Sequence, residues 1–308
     1  MNRLAVAIVN YNTVDDLREC LATVRAAHAT EIVLKDNGST DGSVEMVERE
    51  FPEVRVLASR DNPGYGAASN QAIAACRAPY VLLLNSDVLL ARDTLDVLAD
   101  HLDANPRAAI VGPRLHNPDG TLQRSAHGFP RPMTLRPIVR RIPGLRDRSL
   151  LTWPHASPRV VKWVKGCALA IRRSAFDAVR GFDPEFFMYF EETDLCFRLI
   201  AAGWEIHFTP ATVIVHKGGT STSQARAEMA LQFYASMRQF YHRHYREPDL
   251  RRLDAVLRVQ TRLALVRDRA RLLLARAPRT RARLADDVLV WRRMLRGDWP
   301  ARQPAHLR

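Results

Sequence analysis

Short apolar runs alternate with amphipathic stretches through the first hundred residues of the chain. The run from Leu4 to Val9 is continuously apolar, which is typical of a strand covered on both faces. A helix is predicted next, with Thr13 as its N-cap and Asp16 three residues further on. This cycle repeats three more times. The further predicted strands are 31–35, 54–58 and 80–84, and the further predicted helices are 44–50, 67–76 and 93–103.

Strands that alternate with helices at these lengths indicate βαβ units, and therefore an α/β fold with a mostly parallel sheet flanked by helices. Polar residues come just after four successive strands, at Asn10, Asp36, Asn62 and Asp87. Open α/β sheets bind ligands in a crevice at the carboxyl ends of their strands. Asn, Asp and Gly are also the commonest turn residues, so a single loop of this kind can be a turn and nothing more. The agreement of four loops favours a shared binding crevice.

After Gly112 the alternation loosens into sequence rich in Gly and Pro, with a hairpin predicted at 117–120. A group of arginines in this stretch favours a mobile flap or an acceptor loop, although solvated loop charge is the default explanation. These residues are Arg124, Arg131, Arg136, Arg140 and Arg141.

A strand is predicted from Val160 to Ile171 with Gly166 inside it, where the missing side chain permits a backbone or a ligand to approach closely. The later predicted elements are a helix from near Glu191 to about Ala202, strands at 206–208 and 212–215, and helices from Ser223 to Arg296 that are broken near Pro248 and Pro278.

Gly-rich turns at helix starts can hold a diphosphate through backbone N–H groups. The chain has neither GxGxxG after its first strand nor GxxxxGK[ST], which weakens dehydrogenase and P-loop interpretations. Asp36 suits the imide N–H of a uracil or thymine ring. Asp87 suits a hard divalent cation that bridges two phosphates.

These motifs resemble the family 2 glycosyltransferases, and within them the rhamnosyltransferase-like branch. Their order and spacing match from residue 4 to about residue 221. The matching segments are Val9 to Asn12, the turn 36–43, the loop 62–66 with Asn70, Leu84 to Asp87, Lys165 to Cys167, Gly181 to Asp183, and Phe186 to Arg198.

The resemblance implies a GT-A-like fold, a nucleotide-diphosphate-sugar donor, and inversion at the anomeric carbon. It implies a catalytic domain over 1–222, with a donor half of about 1–112 and an acceptor half of about 113–222, followed by a basic helical extension over 223–308. The residues expected at the donor are Asn10, Tyr11, Asn12, Asp36, Asn37, Gly38, Asn62, Gly64, Tyr65, Gly66, Asn70, Asn85, Ser86, Asp87 and Gly166.

The position of the catalytic base departs from the family pattern. Relatives carry Glu-Asp where this chain has Glu191 and Glu192, so Glu192 is aligned with the usual catalytic Asp. Glu191 and Asp194 remain candidates. The alternative explanation is structural, because a helix dipole favours acids in the first turn and Asp194 can pair with Arg198 at i,i+4.

The metal motif also departs from its commonest form, since Asn85-Ser86-Asp87 supplies a single carboxylate. The resemblance places His216 where a histidine can join Asp87 at the metal or the diphosphate. Mg²⁺ or Mn²⁺ is expected as cofactor. Imidazole is a softer ligand than Mg²⁺ normally selects, so partial metal dependence stays open.

The formal net charge of +13 is concentrated at the C-terminal end. Residues 249–308 hold 16 Arg and 6 Asp, so this segment carries +10 and the rest of the chain +3. Leu, Val, Ala and Trp recur among the arginines, which suits an amphipathic helix at an anionic membrane surface. Packing on the catalytic domain, oligomerisation, or binding of nucleic-acid phosphates are the alternatives, and nucleic acid is the least expected partner.

Four widely spaced cysteines without a CxxC pair fit a reducing cytoplasm. No leader and no run of about 20 apolar residues is apparent, so we expect a cytoplasmic protein that is at most peripheral on the membrane. The expected reaction moves rhamnose or another deoxyhexose from a dTDP-sugar, with UDP- or GDP-sugars open, to a saccharide or polyprenyl-diphosphate-linked acceptor. A non-catalytic sugar-nucleotide-binding scaffold is the alternative function. The oligomeric state is left open.

Overall fold

The computed structural model describes residues 3–130, 153, 155–218 and 225–300. The strands are β1 Leu4–Asn10, β2 Ile32–Asp36, β3 Arg55–Ala58, β4 Tyr80–Asn85, β5 Val88–Leu90, β6 Ala108–His116, β7 Leu122–Gln123, β8 Ala126–His127, β9 Arg159–Val161, β10 Trp163–Val164, β11 Ala168–Arg172 and β12 Glu205–His216. The helices are α1 Val14–Ala26, α2 Ser43–Glu50, α3 Tyr65–Ala75, α4 Thr94–Ala104, α5 Arg173–Ala178, α6 Glu191–Ala201, α7 Arg226–His244, α8 Glu247–Leu274 and α9 Pro278–Arg296.

One large sheet runs through the molecule in the order β3-β2-β1-β4-β11-β6-β12-β5. The first four strands are parallel, as the βαβ pattern predicts. Antiparallel β11 then lies between β4 and β6, and β12 pairs parallel with β6. The two halves expected from sequence therefore share a single sheet, and β6 crosses the boundary between them.

The sheet is covered on both faces, which explains the continuous apolar runs. In β1, Leu4, Val6 and Ile8 face one hydrophobic cluster, which also contains buried residues of α1, α2 and α4. Ala5, Ala7 and Val9 face a second cluster, which contains buried residues of α3, α5 and α6. Successive strand residues point to opposite faces, so β1 belongs to both layers of the core.

Two strand predictions are corrected by the pairing. The strand predicted from Val160 to Ile171 is three strands, because β9 pairs with β12, β10 with β8, and β11 with β4 and β6. The two strands predicted at 206–208 and 212–215 are one strand, β12, with an irregularity in register between Thr209 and Val213. The hairpin predicted at 117–120 is confirmed by the antiparallel pairing of β6 with β7.

The predicted cap of α1 is also corrected. Thr13 lies at the N-cap but makes no side-chain capping bond. Its hydroxyl instead donates to Asn10 Oδ1 at 2.7 Å and lies 2.7 Å from Ser86 Oγ, while Asp41 Oδ2 accepts from the Val14 amide at 2.8 Å. The helix is capped by a neighbouring loop because the threonine belongs to the polar crevice.

Three helices follow the sheet, and the second and third begin where the sequence predicts breaks. Pro248 and Pro278 lie in the first turns of α8 and α9, where the absence of a proline N–H does no harm. Buried residues of α7 and α8 form a cluster with Phe186 of the catalytic region. Within the described ranges, no helix is long and apolar enough to cross a membrane. The arginine-rich stretch expected as a flap, from Arg131 to Arg141, lies outside the described residues.

The start of α3 is fitted tightly against the segment before α6. The Tyr65 amide donates to the carbonyl oxygen of Phe187 at 2.8 Å. Gly64 has φ +89°, and a Cβ there would lie 2.8 Å from Phe187 Cδ2 and closer still to the Phe187 carbonyl. Only glycine satisfies both the backbone conformation and this approach.

We predict that Gly64→Ala lowers the free energy of unfolding by about 2–4 kcal/mol, because it adds a collision to backbone strain. The matched control is Gly42→Ala, since Gly42 has φ +83° with open space around its Cβ position. That control should lose only about 1–2 kcal/mol. Urea unfolding measures both, and equal losses would contradict the close fit of Gly64 against Phe187.

Candidate active site

The polar residues that follow the parallel strands meet at one edge of the sheet, as predicted. Asn10 is in register with Asp36, and Val9 is in register with Asn85. Asn10, Asp36, Asn37, Asn62, Ser86 and Asp87 are all less than 9% exposed. Buried polar groups require partners or a ligand, so this edge is a built site and not a set of surface turns.

Asp36 organises the turn that follows β2. Its Oδ1 accepts from the amides of Gly38 and Ser39, and its Oδ2 accepts from Asn10 Nδ2 and Ser39 Oγ, at 2.6–3.0 Å. These four donors match the approximately four lone-pair sites of a carboxylate. The expected contact of Asp36 with a nucleobase stays a prediction, and it requires one of these donors to move.

The neighbouring turns are joined to the Asp36 turn by side-chain amides. Asn12 Oδ1 accepts from the backbone amide of Thr40 at 2.8 Å, and the backbone amide of Asn12 donates to Ser39 Oγ at 2.9 Å. Asn62 Oδ1 accepts from Asn37 Nδ2 at 3.3 Å and from the Gly64 amide at 3.0 Å. The residues of three loops that are expected to bind the sugar-nucleotide donor are thus joined in one hydrogen-bond network.

Two residues that are expected to bind the sugar-nucleotide donor form hydrogen bonds with the second half of the chain. Asn70 donates to the Phe182 carbonyl at 2.8 Å and accepts from the Phe182 amide at 2.9 Å, so its amide is turned to this backbone and away from the donor side. Tyr65 donates to the Gly166 carbonyl at 2.9 Å. Burial raises the pKa of Tyr65 well above its ordinary value, so the hydroxyl remains a donor.

Asp87 and His216, predicted to share a metal, lie together. Asp87 Oδ1 is buried without a hydrogen-bond partner and faces His216 Nε2 at 3.4 Å. The Gly218 amide donates to Asp87 Oδ2 at 3.1 Å. Burial alone would raise the pKa of Asp87, but the His216 ring and nearby backbone amides outweigh it, so its pKa lies below the ordinary value.

Gln123 determines which nitrogen of His216 faces Asp87. Its Oε1 lies 2.6 Å from His216 Nδ1 and accepts from Lys165 Nζ at 2.7 Å, while its Nε2 donates to Asn117 Oδ1 at 2.8 Å. His216 Nδ1 must therefore carry a proton, so Nε2 is the nitrogen that could offer a lone pair to a bound cation. A carboxylate oxygen and an imidazole nitrogen that face each other fit a divalent cation, with a hydrogen-bonded histidine as ligand.

Glu191 and Glu192 begin α6 after a strained turn. Tyr189 and Phe190 both have φ +67°, a conformation that is uncommon for residues other than glycine. Two glycines lie beside the carboxylic side chains at ordinary contact distance. A Cβ at Gly66 would lie 3.5 Å from Glu191 Cβ, and one at Gly166 would lie 3.5 Å from the Glu192 side chain.

The surroundings of the two glutamates push their pKa values apart. Burial, reinforced by the charge of Glu192, raises the pKa of Glu191 well above its ordinary value. Burial also raises the pKa of Glu192, but the amides of Thr193 and Gly166 and the Lys165 ammonium oppose that rise. Of the pair, Glu192 is therefore the more readily ionised group and Glu191 the more readily protonated one.

Asp194 is the third acidic candidate, and its carboxylate is already paired. Its side chain is 1% exposed, with Oδ2 bonded to Arg198 Nε at 2.7 Å and Oδ1 to His244 Nε2 at 2.7 Å. Arg198 also donates to the carbonyls of Val179 and Gly181. The predicted i,i+4 pair with Arg198 is confirmed, and the geometry gives Asp194 a structural role instead of that of a base.

Unpartnered buried atoms are concentrated at the crevice. Ten buried side-chain nitrogen or oxygen atoms in the described part of the chain have no hydrogen-bond partner, and five of them are oxygens of expected site residues. These five are Asn37 Oδ1, Asn85 Oδ1, Asp87 Oδ1, Glu191 Oε2 and Glu192 Oε2. Such atoms are unfavourable without a ligand, so their grouping points to a site that a polar ligand or cation completes.

Three residues that serve the site are absent from the sequence-based site assignments. Lys165 belongs to a segment that matches the family pattern, but the pattern gives it no role. Nothing in the sequence around Gln123 marks that residue as functional. His244 lies about 50 positions after Asp194, in the helical extension. Each acts through tertiary contacts that no local pattern predicts.

Comparisons with known proteins identify relatives of this chain. The sequence model described as "Glycosyl transferase family 2" matches residues 5–163. An N-acetylglucosaminyl-diphospho-decaprenol L-rhamnosyltransferase of Mycobacterium tuberculosis strain H37Rv is 34% identical over 243 residues, which is 72% of this chain and 78% of that protein. The rhamnosyltransferase WbbL of Escherichia coli K12 is 29% identical over 50% of this chain and 60% of its own length.

A solved structure supports the fold. A mannosyltransferase from Pyrobaculum calidifontis, determined with GDP-Man and Mn²⁺, has a TM-score of 0.53 at 19% identity and covers 96% of this chain and 87% of its own. At this identity the likeness shows the fold alone. The expected GT-A-like architecture is confirmed.

The His244 contact offers a test of how α7 supports the site. His244→Ala leaves one oxygen of buried Asp194 without its donor, and we predict that the free energy of unfolding falls by about 1–3 kcal/mol. His244→Gln keeps an N–H donor and should recover part of the loss. Urea unfolding is the measurement.

His242→Ala is the matched control, because His242 is exposed on the same helix. It should change the free energy of unfolding by less than about 0.5 kcal/mol. An equal effect of His242→Ala and His244→Ala would show that the bond to Asp194 carries no stability.

Proposed function

The chain belongs to glycosyl transferase family 2, and from this premise we propose that it transfers a deoxyhexose with inversion from a nucleotide-diphosphate donor. It is a glycosyltransferase, and its relatives support a role in polysaccharide or cell-wall synthesis. The observation that carries the proposed mechanism is the grouping of five unpartnered oxygens at the strand ends and at the start of α6.

The proposed reaction is a single in-line displacement. The acceptor hydroxyl oxygen forms a bond to the anomeric carbon as the bond from that carbon to the diphosphate oxygen breaks. The hydroxyl proton passes to a carboxylate base, and the nucleoside diphosphate leaves with the bonding electrons. One base is sufficient, and no covalent nucleophile is required.

Glu192 is the proposed base. It is the more readily ionised member of the glutamate pair, and its Oε2 lacks a partner. Glu191, kept neutral by burial, is a donor and not a base. Asp194 is occupied by Arg198 and His244.

The diphosphate is proposed to lie beside Asp87. Asp87 Oδ1 and His216 Nε2 would hold a divalent cation, with Mn²⁺ favoured over Mg²⁺ by the imidazole ligand. Such an ion neutralises the charge that develops on the departing diphosphate. Gln123, which accepts from Lys165, orients the His216 ring through its Nδ1.

The proposed donor is a dTDP-sugar that carries rhamnose, since two relatives are named as rhamnosyltransferases. One of those names specifies a diphospho-decaprenol acceptor, so a polyprenyl-diphosphate-linked saccharide is the proposed acceptor here. We further propose a cytoplasmic location with attachment to an anionic membrane surface through the extension over 223–308. A membrane-anchored acceptor makes such attachment useful.

The base assignment predicts that Glu192→Gln lowers transfer at least about a hundredfold, because proton removal is lost. Donor binding, measured by thermal shift, should survive. Asp194→Asn is the control for an effect on folding alone, since it should lower the free energy of unfolding and change kcat little. Release of nucleoside diphosphate on addition of acceptor is the assay, and unchanged turnover in Glu192→Gln would reject the base.

The pH profile provides a second readout of the same assignment. Because burial raises the pKa of Glu192, kcat/KM should fall with decreasing pH at a midpoint above about 4.3, the ordinary glutamate value. Transfer is active above this midpoint and lost below it, as the base becomes protonated.

Donor and metal binding can be measured without turnover. In a thermal-shift panel of dTDP-, UDP- and GDP-sugars, the dTDP-sugar should give the largest rise in Tm, and Mn²⁺ should increase it. Asp87→Asn and His216→Gln should remove the Mn²⁺ increment. Asp119→Asn, in the exposed hairpin, should retain it, and an undiminished increment in Asp87→Asn would place the metal elsewhere.

A further inference from the structure

The outward face of α8 carries a row of exposed large apolar side chains, which we call the α8 stripe. Its members are Val259, Leu263, Val266, Leu273 and Leu274. Leu273 is 87% exposed and Leu274 81%, among the residues that globular proteins most often bury. The stripe is therefore a surface feature that calls for a partner or a solvent other than water.

The spacing places these residues on a single side of the helix. Val259, Leu263, Val266 and Leu273 follow one another at intervals of four, three and seven, which keep side chains on one helical face. The opposite face is already used. Leu253, Leu257, Thr261 and Asp268 are buried against the rest of the molecule. From Val259 to Leu274 the stripe extends about 22 Å along the helix.

Exposed arginines border the α8 stripe. They are Arg258, Arg262, Arg269, Arg271 and Arg276. Asp268 is the one acidic residue of the sequence between Val259 and Arg276, and it is 2% exposed, paired with Arg267 and accepting from Trp291 Nε1 at 3.0 Å. The solvent-facing charge along this length is therefore uniformly positive.

We propose that the α8 stripe is the surface that lies on an anionic lipid bilayer, with its apolar residues at the level of the acyl chains and its arginines among the headgroup phosphates. A helix with an apolar row and cationic borders has the chemistry that an anionic bilayer surface complements. The proposal assigns the attachment to one face of one helix, and not to the basic extension as a whole.

Two other occupants complement this face less well. A second copy of the chain, packed by two-fold symmetry, would oppose arginine borders to arginine borders. Nucleic acid would match the arginines but leave Leu263, Leu273 and Leu274 in water. Only a bilayer satisfies the charge and the apolar row together.

The inference deepens the proposed function, because the bilayer would hold the lipid-linked acceptor, yet vesicle binding does not depend on catalysis. The test is therefore co-sedimentation of the full chain with vesicles, without donor or acceptor. The lipids are phosphatidylcholine alone, or phosphatidylcholine mixed with phosphatidylglycerol. We expect binding to the anionic mixture only, and a decrease as salt screens the arginines.

Leu263→Asp should lower vesicle binding about tenfold or more, because it removes an inserted side chain and adds a charge repelled by the lipid. The matched control is Leu289→Asp on α9, since Leu263 is 56% exposed and Leu289 is 49% exposed. That control should bind as the unaltered chain does. Equal losses in the two variants would overturn the assignment to α8.

The charge border is tested in the same assay. Arg262→Gln with Arg269→Gln should weaken binding roughly thirtyfold, while Arg279→Gln with Arg281→Gln on α9 should leave it nearly unchanged. An unchanged Tm, measured without ligand, shows that each variant is folded. Absence of anionic-vesicle binding by the full chain overturns the proposal. So does a Leu263→Asp variant that converts a dimer to a monomer while vesicle binding is unchanged.

Discussion

Two neighbouring carboxylic side chains lie at the start of α6, Glu191 buried and Glu192 half-buried, and their desolvation is the constraint on which the rest of the site depends. Burial penalises their charged forms, and each has an oxygen without a protein partner. Glu191 responds to this penalty with the larger rise in pKa, while backbone amides and Lys165 limit the rise at Glu192. This difference is what allows one member of the pair to be proposed as a base.

The strained turn before α6 is supported by the helical extension. Phe190 stands in a left-handed conformation, and Ser236 of α7 donates to the carbonyl of nearby Met188 at 2.7 Å. His244, packed against Phe197 with ring centroids 4.2 Å apart, completes the pairing of Asp194. Strain of this kind persists only where its surroundings determine it. The start of the extension is therefore part of the catalytic architecture, although its sequence resembles a separate appendage.

Sequence predicted the parallel half of the fold well, because buried parallel strands leave a simple apolar signal and their polar ends converge by topology. It failed where pairing partners are distant. The break of the stretch 160–171 into three strands depends on β8, β4 and β12, none of which is a sequence neighbour. The pairing of Asp87 with His216 followed from family likeness, whereas the Gln123 contact that fixes the ring tautomer depends on a hairpin side chain without a motif. The local sequence pattern therefore predicts where the site lies, whereas the charges and proton positions within it depend on contacts between residues that are distant in sequence.

The distribution of charge separates the two roles of the extension. Three polar residues of the extension that bond to the segment 183–194 precede residue 249, namely Ser236, Arg243 and His244. The +10 charge lies beyond that point, where Asp254 pairs with Arg238 of α7, Asp268 pairs with Arg267, and most arginines of the described residues face solvent. Excess positive charge opposes compactness by self-repulsion, so it is unfavourable for packing alone. Because this charge accompanies an exposed apolar row, its physical complement is an anionic interface and not the diphosphate of the donor.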